Sequence, residues 1–436
     1  MSEFMTNMIA QAEEDLLHTY NRYQIVLERG EGVYLYDTDG KKYLDFMSGI
    51  GVYALGYGNP EYNEVLKAQV DKILHTSNYF YNQPAIEAAH RLKEVSGMDR
   101  VFFTNSGAEA VEGALKAALK HFFLTRRHKA DGEEGGASAL SAPAGAKAPS
   151  GAASGADLPE IIAMEHSFHG RTLGALAVTG NAHYREGYGQ LPCRARFAQF
   201  NDLASVEALV NGNTAGIILE TVQGEGGVIP ASEEFLVGVR RLCDDHRIPL
   251  ILDEVQCGMG RTGYMYAWQK FRGADGTYAA KPDIMSTAKA LGCGVPVGAF
   301  LVTEEIACSS LTAGDHGTTY GGNPFAAAAV NAVLDQYEKQ NLTAHVQEIA
   351  PYLIRKLDDI AARYDCVVGR RGSGLMQALV FNRPVAPVIA GAMENGLIMI
   401  NAGADVLRFL PPLVITREQV DEMASILGTA IEETEN

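Results

Sequence analysis

Lys289 lies in Ser286-Thr287-Ala288-Lys289-Ala290-Leu291-Gly292, among small and apolar residues where most lysines have polar, solvated neighbours. An amine in such surroundings loses affinity for its proton, and a neutral amine is the form that attacks a carbonyl to make a Schiff base. The competing reading is an ordinary surface lysine. Earlier in the chain, Leu250-Ile251-Leu252 delivers the consecutive acids Asp253 and Glu254 to the carboxyl end of a strand, where open α/β sheets bind ligands. Neighbouring strand residues point to opposite faces, so one acid faces a ligand and the other the scaffold. A third segment, Val101 to Glu109, passes from an apolar strand through Asn105-Ser106-Gly107-Ala108 into a helix with apolar Val111, Leu115, Ala118, Leu119 and Phe122. Ser106 and Glu109 have capping-box spacing. Beyond simple capping, the N–H groups of Gly107 and Ala108 and the Ser106 hydroxyl could hold a phosphate at the positive end of the helix dipole.

Placing these groups together requires an α/β scaffold. Val101–Thr104, Ile161–Met164, Ile217–Glu220 and Leu250–Asp253 are short apolar runs separated by helical segments, the pattern of a buried parallel sheet. Before them, an amphipathic helical stretch leads to Gly32–Asp37 and Lys42–Phe46, which flank Thr38-Asp39-Gly40 as a hairpin would. Residues 131–156 contain 21 Ala, Gly, Ser or Pro out of 26 and predict a flexible surface insert without chemistry. An Ala-rich helix over Pro324–Lys339 begins a C-terminal α+β part that ends in strands and a helix over Thr416–Glu432. The expected organisation is an N-terminal segment, 1–76, contributing to a small domain. A large cofactor-binding domain, 77–323, follows, and a C-terminal small domain, 324–436, completes the chain.

Composition narrows the function. The chain has 436 residues, 47% hydrophobic and 20% charged, a globular balance that excludes collagen-like and wholly disordered classes. A net charge of −17 repels a nucleic-acid backbone over most of the surface and obliges any anionic substrate to find local arginines. Six scattered cysteines without a close pair suit a reducing compartment. The first twenty residues lack the features of a signal peptide. The longest apolar runs, such as Val295–Val302, fall well short of the roughly 20 residues that span a bilayer. A cytoplasmic protein with no membrane or nucleic-acid partner is expected.

Two other motifs compete. Gly258-Met-Gly260-Arg-Thr-Gly263, with Asp283 downstream, matches a dinucleotide fingerprint and would make the protein an NAD-dependent dehydrogenase. Against it, Asp253 to Cys257 intervene between strand and first glycine, and bulky Tyr264, Tyr266, Trp268 and Phe271 follow. His166 and His169 form the one close histidine pair, without the H-E-x-x-H or cysteine cluster that a metal site calls for. No metal is expected.

Read in order, six blocks resemble one family over nearly the whole chain, leaving out only 131–156. They are Phe102-Phe-Thr-Asn-Ser-Gly-Ala-Glu109, His166-Ser-Phe-His-Gly-Arg-Thr172, Leu219-Glu-Thr-Val-Gln-Gly-Glu-Gly-Gly227, Leu252-Asp-Glu-Val-Gln256, Ser286-Thr-Ala-Lys289 and His316-Gly-Thr-Thr-Tyr-Gly-Gly-Asn-Pro324. The resemblance is to the class III aminotransferases of the ornithine and acetylornithine type, which use pyridoxal 5′-phosphate. It implies a fold-type I architecture: a large domain with a mostly parallel sheet and a smaller α+β domain built from both termini. It also implies that Lys289 joins the coenzyme covalently and moves the reacting proton, and that Asp253 pairs with the pyridine nitrogen. Phe168 would stack on the ring and Gln256 would lie near the ring hydroxyl. Ser106, Gly107 and Ala108 would form the phosphate cup, and Thr318 and Thr319 would reach the phosphate from a neighbouring subunit, making a homodimer with shared sites. Arg171 and Arg408 match two carboxylate binders, which guanidinium forks suit, and Glu225 a gate that pairs with Arg408 until a dicarboxylate arrives.

Ile50 stands where ornithine aminotransferases carry tyrosine, which resembles the acetylornithine enzymes; Tyr53, Tyr57 and Asn59 depart from the latter. The implied reaction moves the δ-amino group of N-acetylornithine to 2-oxoglutarate, giving the semialdehyde and glutamate in a step of arginine biosynthesis. Ornithine, succinylornithine or 4-aminobutyrate are the alternative donors. A mutase on the same coenzyme, or a coenzyme-binding protein without turnover, are the readings furthest from this one.

Overall fold

The computed structural model describes residues 1–130 and 158–435, side chains of 126–130 excepted; the insert expected at 131–156 lies outside the described residues. Seven strands form the central sheet in the order Arg100–Thr104, Gly298–Val302, Ile284–Thr287, Leu250–Asp253, Thr214–Glu220, Glu160–Met164, Ala195–Ala198. Gly298–Val302 is antiparallel to both of its neighbours, and all the other pairings are parallel. The middle strands are buried on both faces, which explains their unbroken apolar runs. Ile161, Ala163, Ile218, Ile251 and Phe300 face the helix Gly107–Ala130, where Val111, Ala114, Leu115 and Ala118 meet them. Ile162, Met164, Ile217, Leu219, Leu250 and Leu252 face the other way, into a core shared with Phe235, Leu236, Val239 and Cys243 of the helix Glu233–His246. Parallel strands end at one edge, so Thr104, Met164, Glu220, Asp253 and Thr287 open their following loops on the same side of the sheet.

Both ends of the chain build the smaller lobe. Leu27–Glu31, Tyr34–Asp37 and Lys42–Asp45 form an antiparallel meander whose last strand pairs in parallel with Leu397–Ile398. The hairpin turn is the expected one: Asp37 accepts from the N–H groups of Asp39 and Lys41 at 3.0 and 2.9 Å. A second sheet, ordered Val367–Ser373, Met376–Phe381, Val406–Phe409, Ile400–Asn401, packs under the helices Leu342–Arg363, Ala386–Glu394 and Arg417–Glu433. The Ala-rich helix spans Pro324–Lys339 as the sequence predicts, capped by Asn323.

The glycine fingerprint is not a dinucleotide loop. No α-helix follows Gly258–Gly263, only a single 3-10 turn at Ala267–Lys270. Arg261 is buried and donates to the Pro411 carbonyl, and Gly260 N–H and Gly263 N–H close tight turns onto Met265 and Gly260. Asp283 serves the scaffold, accepting from Arg240 and from Leu250 N–H, both at 2.7 Å.

Candidate active site

At the carboxyl edge of the sheet is a cavity of about 470 Å³ lined by Ser106, Gly107, Ala108, Phe168, Arg171, Asp253, Gln256 and Lys289, among others. The two consecutive acids separate as strand geometry requires. Asp253 lines the cavity; its Oδ1 accepts from Val255 N–H at 3.0 Å and Ser286 Oγ at 3.2 Å, and its Oδ2 lies 2.8 Å from His169 Nδ1. Glu254 faces inward, accepting from Thr221 Oγ1 at 2.6 Å and from Ala267 N–H at 2.8 Å. Burial pushes the Glu254 carboxyl up to about 7. Glu220, also on the cavity wall, is pushed to about 7 by burial, with the nearby His169 opposing.

At the first turn of Gly107–Ala130, Ser106 Oγ accepts from Glu109 N–H at 3.2 Å. The Glu109 carboxylate takes the N–H of Asn105 at 2.6 Å where a full capping box would take that of Ser106. The backbone N–H groups of Ser106, Gly107 and Ala108 therefore have no protein acceptor among the described residues. Three such donors at a helix start form a cradle for an oxyanion. Gly298 lets the cradle sit this close to the sheet: a Cβ there would stand 2.4 Å from the Ser106 carbonyl oxygen.

Lys289 is half-buried against the same cavity. Its backbone has φ 51°, a left-handed conformation costly for a side chain with a Cβ and typical of functional positions. Burial pushes its amine below the ordinary lysine range; Arg408 adds to this, while Glu225, Asp253 and Glu220 oppose it. Its Nζ makes no hydrogen bond or ion pair among the described residues.

The guanidinium of Arg408, 1% exposed, donates to Glu225 Oε1 at 2.7 Å and Gln256 Oε1 at 3.1 Å through Nη1, and to the Asn401 carbonyl at 3.3 Å through Nη2. Arg171 is exposed at the cavity rim, 3.6 Å above the Tyr184 ring and 5.4 Å from that of Phe168. Thr318 and Thr319 do not reach the Lys289 cavity of their own chain. They line a separate recess of about 550 Å³ with His75, Asn78 and Tyr79, where Thr318 Oγ1 accepts from Asn105 Nδ2 at 3.2 Å.

Sequence reasoning missed three residues of this site: His169 as the partner of Asp253, Glu220, and Tyr184 beneath Arg171. The sequence shows His169 only as half of a histidine pair; His166 is exposed and does not share its contact. Among the described residues no group of three or more His, Cys, Asp and Glu could hold a metal.

Comparison with known proteins places this geometry. The family described as aminotransferase class-III matches residues 17–431. An acetylornithine aminotransferase of Methanocaldococcus jannaschii is 42% identical over 418 residues, covering 96% of each chain. A succinylornithine transaminase of Yersinia enterocolitica is 39% identical, covering 97% of this chain and 95% of the relative. The crystal structure of N-acetylornithine aminotransferase from Stenotrophomonas maltophilia superposes with TM-score 0.76 at 34% identity, covering 98% of this chain and 99% of that one.

Proposed function

This chain belongs to the class III aminotransferases, and from that premise we propose that it transfers the δ-amino group of N-acetylornithine to 2-oxoglutarate. Its coenzyme is pyridoxal 5′-phosphate, which when bound supplies an aldehyde carbon for capture of an amine and a ring that accepts electrons from the adjacent carbon. The residues present fit that group: three unpartnered N–H groups for a phosphate, a fixed carboxylate for a ring nitrogen, and an amine without a partner. The single observation that carries the reading is the convergence of Lys289, Asp253 and the Ser106–Ala108 turn on one cavity.

In this reading Asp253, held by His169, Ser286 and Val255 N–H, would hold a carboxylate against the ring nitrogen and so would keep that nitrogen protonated. Phe168 and Gln256, which line the same cavity, would pack on the ring face and meet its hydroxyl respectively. Ser106, Gly107 and Ala108 would hold the phosphate through their free N–H groups. Lys289, whose affinity for a proton burial lowers, would be the amine that binds the coenzyme and would then take the proton from the substrate carbon bearing the amino group. Arg171 binds the carboxylate common to both substrates. Arg408 is occupied by Glu225 while the amino donor reacts and is released when 2-oxoglutarate brings a second carboxylate, so one pocket serves two substrates by moving a charge.

The acetylornithine relatives at about 40% identity support the donor, as does Ile50, which packs against an apolar cluster of Val222, Val228 and Met376 in place of a polar contact. Succinylornithine is the second reading, favoured by relatives of nearly equal identity. Such an enzyme serves arginine biosynthesis. We place it in the cytoplasm, which six free cysteines support; no helix among the described residues is long and apolar enough to cross a membrane. A homodimer is supported by Tyr79, Phe80, Tyr81 and Tyr320, exposed by 96, 70, 96 and 60% around the Thr318–Thr319 recess; a second copy covering them would bring both threonines to its own phosphate cup. Division of the chain at 76/77 and 323/324 is part of the same reading.

The test is Lys289→Ala, with each amino donor supplied alone and the coenzyme absorbance followed. The wild type should convert N-acetylornithine fastest of the panel and the variant should not turn over. A variant as fast as the wild type would overturn the reading.

A further inference from the structure

The outer sheet of the smaller lobe sets two arginines in one row. Arg371 is the register partner of Ala378, and Ala378 of Arg408. Directly opposed residues of antiparallel strands project to the same face, so the two guanidinium groups share a face with only an alanine methyl between them, their Cα atoms about 10 Å apart at two strand spacings. Arg408 holds Glu225. Arg371 holds nothing: it makes no hydrogen bond or ion pair among the described residues, and its Nε is buried without a partner. Asp405 is the one acid it senses, and the two form no ion pair.

Arg371 nevertheless presses on the loop that carries the gate. A Cβ built on Gly227, two residues after Glu225, would stand 2.6 Å from Arg371 Nη2, so only a glycine lets the guanidinium lie this close. The loop is a tight turn, Gly227 and Val228 N–H both donating to the Gly224 carbonyl at 3.3 and 3.2 Å, and the Glu225 side chain is 28% exposed at its rim. A partly buried guanidinium left without an anion, packed against the loop of a carboxylate that must at times leave its own arginine, forms a second berth for that carboxylate.

We propose that Arg371 receives Glu225 when Arg408 takes a substrate carboxylate. The switch then moves one negative charge between two fixed guanidinium groups, and neither the glutamate nor the arginine it leaves is stranded. This rests on the carboxylate-exchange reading of Glu225 given above.

The test uses the coenzyme-loaded enzyme and calorimetric titration with glutarate, an unreactive dicarboxylate, and butyrate, a monocarboxylate that engages Arg171 alone. Arg371→Met should weaken glutarate about five- to ten-fold, the worth of one partly exposed charge-assisted pair, and leave butyrate unchanged; Arg371→Lys should retain most of the affinity. In a Glu225→Gln background, Arg371→Met should have no further effect. A crystal structure of the glutarate complex should place the Glu225 carboxylate within hydrogen-bonding reach of Arg371. Equal weakening of both ligands, a glutarate effect that persists without the Glu225 charge, or Glu225 turned to solvent in the complex would overturn the proposal. Failure of the exchange reading itself shows separately, as Glu225→Gln alone failing to tighten glutarate, and it overturns the proposal with it.

Discussion

Replacing Glu225 with glutamine keeps the shape of the gate and removes its charge. In the exchange reading, a second substrate carboxylate would have to displace Glu225 from its 2.7 Å contact with Arg408. Two unit charges about 4 Å apart attract by about 4 kcal/mol at an effective dielectric of about 20. Water reclaims part of that, because Glu225 is 28% exposed, and Arg408 keeps Gln256 and the Asn401 carbonyl whichever anion it holds. A net value of about 1.5 kcal/mol remains, a factor of about 10 in binding. The KM for 2-oxoglutarate should therefore fall about ten-fold in Glu225→Gln, with the amino donor's KM unchanged or raised, since nothing then shields Arg408 from the donor's own carboxylate. Stopped-flow absorbance of each half-reaction separates the two. An unchanged or higher KM for 2-oxoglutarate would refute the idea that Glu225 competes with substrate for Arg408.

Three further perturbations follow from the geometry. Gly298→Ala puts a methyl 2.4 Å from the Ser106 carbonyl and 2.7 Å from Thr104 Oγ1; since the backbone oxygen cannot yield without shifting the helix start, coenzyme affinity should drop more than about ten-fold with the fold retained, as equilibrium dialysis against the coenzyme would report. Glu254 carries a carboxyl raised to about 7 from an ordinary value of 4.5. The folded state therefore binds more protons than the unfolded one between those values, and the Glu254 contribution to stability is full below about 4.5 and lost as pH rises through 7. That loss is on the order of 3 kcal/mol, and urea unfolding of wild type and Glu254→Gln across pH 4.5 to 8 should show their difference drifting in that sense; a constant difference would contradict it. Phe80→Asp should give a monomer by sedimentation that also loses coenzyme, because Thr318 and Thr319 could no longer serve a neighbouring cup; an active monomer would refute the shared site.

Local signals reached much of this from the sequence. The hairpin around Asp39 and Gly40, the helix over Pro324–Lys339 and the strand ending in Asp253 are each written in a few adjacent residues, through turn chemistry, capping and apolar runs. So is the divergence of Asp253 from Glu254, which alternation along a strand dictates. Lys289 was legible because small neighbours are rare around a lysine. The sequence does not betray Gly298–Val302 as a sheet strand, since an apolar run does not reveal its direction or its partners. The contact of His169 with Asp253 joins residues 84 apart in the chain, Tyr184 meets Arg171 only through a loop, and the row linking Arg371 to Arg408 depends on the register of three strands. None of these has a spacing that a linear pattern could betray. The glycine fingerprint shows the converse: its letters match, and a lone 3-10 turn at Ala267–Lys270 in place of an α-helix decides against it.

The pairing of Lys42–Asp45 with Leu397–Ile398 has a consequence for synthesis. The amino-terminal meander leaves the ribosome with the outer edge of its last strand bare, and the segment that covers it, Leu397–Ile398, is made about 350 residues later. Until then that edge is open to pairing with other nascent chains. The smaller lobe, and with it the arginine row, closes only after every strand of the central sheet has been made, and loss of the segment from residue 397 onward would leave that sheet complete and Lys42–Asp45 without its neighbour.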